Sequence, residues 1–87
     1  MIEIKILGPG CPKCKVTESQ VKRAVSELNR SDINVIKVEK IEEIMKYNIL
    51  STPALVVNGV IKTIGRVPRV DEIKTFIDEV SRYPGVN

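Results

Sequence analysis

Residues 8–14 read GPGCPKC and hold both cysteines of the 87-residue chain. Gly8-Pro9-Gly10 breaks whatever precedes it. Pro12 suits the first turn of a helix, where its missing N–H forfeits no hydrogen bond. The heptapeptide therefore reads as a junction between a strand and a helix, with Cys11 at the helix start and Cys14 one turn further in. Upstream, IEIKIL alternates and is rich in isoleucine, which makes Ile2–Leu7 a strand. Downstream, a helix is expected from about Pro12 to Asn29. At about 100° per residue, Cys14, Val21, Val25 and Leu28 fall on one stripe, the expected buried face, with Cys11 to one side of it.

Further along, NRSD is a turn and INVIKVE gives a second strand over Asn34–Val38. Strand, crossover helix and strand imply a right-handed βαβ unit with parallel strands. A short helix, about Lys40–Tyr47, should turn Ile41, Ile44 and Met45 inward. STP interrupts it, and the continuous apolar run ALVV, Ala54–Val57, reads as a buried strand. Asn58-Gly59 is a strong hairpin signal, after which Val60–Ile64 returns as the fourth strand. Gly65 and Pro68 separate it from a last helix, in which Val70, Ile73, Phe76, Ile77 and Val80 recur at helical spacing and which Tyr83-Pro84-Gly85 ends. The expected architecture is α/β in the order β-α-β-α-β-β-α: a four-stranded mixed sheet with helices on both faces, in a single domain over residues 1–87.

Composition narrows the function. An 87-residue chain with 43% apolar and 29% charged residues fits one small soluble globular domain. No apolar run approaches the roughly 20 residues of a membrane span, and MIEIKILG is too short and polar for a secretory signal, so a cytoplasmic protein with no membrane partner is expected. The net charge of +3 is mild and the only aromatic residues are Tyr47, Phe76 and Tyr83. Single-strand binders need stacking platforms, so no nucleic-acid partner is expected. The absence of histidine removes Cys–His and Ser–His mechanisms and any histidine-containing metal site within one chain. Two cysteines alone do not complete a structural zinc site. No metal and no cofactor beyond the cysteine pair is expected.

The position of the pair is chemically informative. Free backbone N–H groups and the positive end of the helix dipole favour a thiolate at Cys11, and Lys13 and Lys15 add positive charge. Helix-start cysteines in C-x-x-C motifs titrate at roughly 3.5–7.5 instead of about 8.5. One helical turn brings the sulfurs within bonding reach. Cys11 at the tip can attack a disulfide, and Cys14 can then attack the mixed disulfide and release the product. Two inert core thiols are the plainer reading; the pairing, the helix-start position and the flanking Gly-Pro argue against it. A permanent structural disulfide does not suit a reducing compartment and would close too short a loop to stabilise much.

GPGCPKC at the first helix, STPALVVNG before the hairpin and IGRVPRVDEI leading into the last helix together resemble the thioredoxin-fold family. More narrowly, the chain resembles the small glutaredoxin-like redox-active disulfide proteins of archaea and bacteria, over nearly its whole length. The resemblance implies the thioredoxin fold, with sheet order 2-1-3-4 and a cis-proline at the start of the third strand facing the C-x-x-C. Pro53, preceded by Thr52, matches that position. It also implies thiol–disulfide exchange, with Cys11 as nucleophile and Cys14 as resolving thiol. The backbone of Thr52 would hold a substrate peptide or glutathione as an added strand, and Gly65 would let a partner approach. The implied partners are protein disulfides and a reductase, and the implied state is a monomer.

The chain departs from the family at several positions. Gly10 stands where thioredoxins usually have tryptophan, and counting six residues back from the first cysteine to their buried carboxylate gives Lys5. Glutaredoxins commonly place an aromatic where Lys13 stands and favour Gly-Gly where this chain has Gly65-Arg66, which leaves glutathione open as a partner. Pro12, Lys13 and Lys5 are candidates for tuning the thiol. Lys5 either extends its ammonium past the sheet edge or places it near Cys14 to support a thiolate. Arg66 and Arg69 are either solvated or form a basic rim that favours acidic partners. Tyr47 reads as a packing residue at a helix end. Two rival functions share the motif. Heavy-metal-associated domains carry a C-x-x-C at a helix start for copper(I) or zinc, but their order, β-α-β-β-α-β, ends in a strand. A non-catalytic binding module would use the disulfide only to switch a surface.

Overall fold

The computed structural model describes residues 1–82. The elements are β1 (Ile2–Leu7), α1 (Pro12–Leu28), β2 (Ile33–Val38), α2 (Ile41–Met45), β3 (Ala54–Val57), β4 (Val60–Ile64) and α3 (Val70–Arg82). The order is the expected one; the Tyr83-Pro84-Gly85 terminator lies outside the described residues. The sheet runs β2-β1-β3-β4. β1 and β2 are parallel, from Ile2 opposite Ile33 to Leu7 opposite Val38. β1–β3 and β3–β4 are antiparallel, the latter with an irregularity between Leu55 and Val56.

Strand alternation divides the core in two. Ile2, Ile4 and Ile6 of β1 and Leu55 and Val57 of β3 face α1 and α3, where Val21, Ala24, Ile73 and Ile77 complete the larger cluster. Leu7, Ala54 and Val56 face the other way, beneath Ile44 of α2. β3 shows no polar alternation because it is buried on both faces. Each of its larger side chains contributes roughly 1.5–3 kcal/mol by leaving water. Across the larger layer Lys74 of α3 pairs with Glu27 of α1, and Arg30, two residues past α1 and itself paired with Asp32, donates to Ser81 Oγ of α3 at 2.6 Å.

Two expected faces are corrected. The buried line of α1 is Cys14, Thr17, Val21 and Ala24, while Val25 and Leu28 pack only half-buried at its margin. Thr17 enters the core because its hydroxyl donates to Lys13 O at 2.9 Å within the helix, so that its own polar group is paired there. In α2 only Ile44 is buried; Ile41 and Met45 are 54% and 67% exposed. A five-residue helix makes little more than one turn and turns a single position inward. Tyr47 and Ile49, beyond its end, fill the space expected for the other two. The helix expected to reach Asn29 ends one residue earlier, because Asn29 is its left-handed cap, with φ 52° and ψ 45°. No helix among the described residues is long and apolar enough to cross a membrane.

Candidate redox site

The site forms where β1 leaves the sheet. Gly8 N–H donates to Val38 O at 2.9 Å, which carries the β1–β2 pairing one residue past the strand. Gly10 then turns the chain at φ +97°, a conformation that strains any residue with a side chain. Cys11 follows as the extended N-cap of α1. Its carbonyl accepts from Lys15 N–H at 3.0 Å, and its Sγ accepts from Cys14 N–H at 3.3 Å. The sulfur therefore occupies the place of a capping oxygen, against one of the free donors of the first turn. Cys11 and Cys14 lie 5.1 Å apart at Cα with their sulfurs joined as a disulfide. The two are unequal: Cys11 is half-buried and Cys14 is 5% exposed.

The structure brings Pro53 to this pair. A Cβ on buried Gly8 would overlap Cys14 Sγ, lie 3.1 Å from Cys14 Cβ and 3.9 Å from Pro53 Cα. Gly8 is thus the floor on which the inner sulfur and the proline meet. Sequence reading used it only as a strand breaker; the signal available was a glycine directly after a buried strand, which marks close approach as well as a turn. The Thr52–Pro53 peptide is cis. Gly65 N–H donates to Pro53 O at 2.8 Å, and at φ +72° a Cβ on Gly65 would stand 3.0 Å from Ser51 Cβ, so Gly65 packs directly on the 51–53 segment. Thr52 itself makes no main-chain hydrogen bond to another described residue outside the regular elements. Pro12 and Lys13 lie exposed on the first turn of α1.

Lys5 is not brought to the cysteines. Alternation turns it away from the Ile4–Ile6 face that α1 covers. Its Nζ donates to Tyr47 Oη at 3.2 Å and stands 3.6 Å from Glu3. That hydrogen bond, with the charge interaction at Tyr47 and then that of Glu3, raises the Lys5 pKa above its ordinary value. Tyr47, read as packing, is thus also the partner of Lys5. Arg66 is neither freely solvated nor an open cation. It forms a two-pronged contact with Glu72 at 2.9 and 2.8 Å, and Arg69 N–H adds a third bond to the same carboxylate at 3.0 Å. These bonds, Arg66 first, hold the Glu72 pKa down to about 2.

Sequence reading also passed over the surroundings of Cys14. A cleft of about 280 Å³ opens beside it, lined by Gly10, Lys15, Glu18, Lys37 and Glu39 among others. Glu18 is paired with Lys22 at 3.0 Å and Lys37 at 3.5 Å. The hydrogen bond from Lys22 is the main cause that keeps its carboxyl below the ordinary range. Among the described residues no group of three or more cysteine and carboxylate side chains is placed to hold a metal.

A four-stranded sheet of order 2-1-3-4, a C-x-x-C at the start of the first helix and a proline-led third strand beside it define a thiol–disulfide oxidoreductase of the thioredoxin fold. Comparison with known proteins agrees. The thioredoxin-domain family matches residues 2–78. A thioredoxin of Methanocaldococcus jannaschii is 42% identical over 83 residues, which covers 95% of this chain and 91% of the relative. A thioredoxin of Methanothermobacter thermautotrophicus is 34% identical over 77 residues, 88% of this chain and 99% of its own. A probable thioredoxin of Methanothermobacter marburgensis is 28% identical over 87 residues, covering 92% and 98%. The chain belongs to the thioredoxin family.

Proposed function

We propose that Cys11 is the attacking thiol and Cys14 the resolving thiol in an exchange with protein disulfides. The observation that carries this reading is the inequality of the pair: Cys11 half-buried at the helix start with its sulfur accepting from an N–H, and Cys14 only 5% exposed. The Cys11 thiolate attacks one sulfur of a substrate disulfide; a Cys11–substrate disulfide forms, and the first substrate thiolate leaves and takes up a proton. Cys14 then loses its proton and attacks Cys11 Sγ, expelling the second substrate thiol. Two electrons pass to the substrate, and the chain is left as the Cys11–Cys14 disulfide. Pro12 and Lys13, on the first turn, shape the surroundings of Cys11. The free main chain of Thr52 holds the substrate backbone, while Pro53 and Gly65 keep the approach narrow and unobstructed. Lys5 has no part in it. A reductase must return the pair to the dithiol, which suits a monomer working in the cytoplasm.

Mass spectrometry after mixing single-cysteine variants with a peptide disulfide tests the roles. Cys14→Ser should accumulate a stable adduct on Cys11, and Cys11→Ser should form none. Equal adduct formation by both variants would refute the assignment.

A further inference from the structure

Of the chain's 14 lysines and arginines, all but Lys13, Lys15 and Lys40 form an ion pair with a described carboxylate. These residues gather at one end of the molecule. Lys13 and Lys15 belong to the first turn of α1 and flank Cys14 on either side along the chain. Lys40 stands two residues past β2, which leaves the sheet at the same end as β1; Gly8 is bonded to Val38, and Glu39 Oε2 comes within 3.7 Å of where a Gly10 Cβ would stand. Lys13 and Lys15 bring the fold no benefit there, because a helix start disfavours positive charge and α1 has no acidic residue in its first turn. The carboxylates at this end are largely answered. Glu18 pairs with Lys22 and Lys37, and Glu39 lies 4.0 Å from Lys37; Glu42 alone forms no ion pair. On the far side of the site Arg66 and Arg69 are neutralised by Glu72 and Asp71. Leu50, fully exposed, and Ile64, half-exposed, flank the 51–53 segment with apolar surface.

We infer that the redox end selects polypeptides whose disulfide-bonded cysteine is flanked by aspartate and glutamate, held over Lys13, Lys15 and Lys40, with an apolar side chain against Leu50 and Ile64. The inference rests on the exchange reading above and names its substrate class. Opposite charge at a cleft speeds encounter by roughly 10- to 1,000-fold when salt is low and fades as salt rises. With only these lysines free, the lower end of that range applies.

The test uses reduced full-length protein in single turnovers with peptide disulfides identical except for acidic, neutral or basic flanks. At low salt the acidic peptide should be reduced about tenfold faster than the neutral one and the basic peptide slower than both, with the spread closing at high salt. In K13Q/K15Q/K40Q the acidic-to-neutral ratio should fall toward one. The neutral-peptide rate of that variant reports any change in the thiol itself, so the ratio isolates recognition. Equal rates for all peptides in the wild type, or an unchanged ratio in the triple variant, would overturn the substrate class and leave exchange intact. Reduction of none of them would overturn exchange and the substrate class together.

Discussion

Helices α1 and α3 begin in opposite ways. The start of α3 carries Asp71 and Glu72, and Glu72 closes the turn by accepting from Arg69 N–H and from both prongs of Arg66. Negative charge over free N–H groups is what a helix start favours. The start of α1 has no acid, two lysines, and a sulfur as the only side-chain acceptor. Both helices cover the same face of the sheet and bury apolar residues in one cluster. The difference therefore has no origin in packing. One start is built to hold the helix, and the other keeps a donor and positive potential available to a thiolate.

The comparison breaks most visibly at Gly8, beneath the α1 start. Gly8→Ala puts a methyl group where Cys14 Sγ lies, in a part of the core with backbone on the other side. A loss of about 1–3 kcal/mol in chemical denaturation is expected, as for other overpacked sites, together with slowed closure of the disulfide after the first attack. Normal stability in that variant would mean that the loop yields and that the floor beneath the inner sulfur is soft.

The α3 start can be tested by pH. The folded Glu72 pKa is about 2 against an ordinary 4.5. A depressed carboxylate adds stability that is complete above the ordinary value and is lost as the pH falls from about 4.5 toward 2. Glu72→Gln should therefore lower the melting temperature at neutral pH, and the gap from wild type should close through that acid range. A gap constant from pH 7 to pH 3 would show that the bonds to Arg66 and Arg69 contribute no charge-dependent stability.

The smallest effect has the opposite sign. Lys13→Glu gives α1 the charge its start lacks and should raise the stability of the oxidised protein by about 0.3–1 kcal/mol in denaturant, while slowing attack on a neutral peptide disulfide. A variant that is both more stable and equally fast would remove Lys13 from the working part of the site.

Much of this is legible in the amino-acid sequence alone. The isoleucine alternation of β1, the unbroken apolar run of β3 and Asn58-Gly59 fix strands whose order follows from chain connectivity, and Gly-Pro around Cys11 marks a helix start. What escaped depends on contacts between distant segments. Thr17 looks polar until its hydroxyl is seen to bond Lys13 O. The turning of Lys5 away from the cysteines follows from alternation, but only once it is known which face α1 covers. Arg66 could not be assigned to Glu72 without the loop that folds one back on the other. Cys11 needed only local sequence to place; Gly8 beneath Cys14 and Pro53 needed the whole sheet.

That meeting of Gly8, Cys14 and Pro53 has a consequence for the protein's own synthesis. The first two arrive on the ribosome long before the third, and the strand that carries Pro53 must cross the intervening βαβ unit to pair with β1. A contact so distant in sequence forms late, when the sheet closes. A half-made chain carries the C-x-x-C before Pro53 exists to lie beside it. The site with Pro53 beside its inner sulfur is therefore complete only once β3 has paired with β1, late in synthesis.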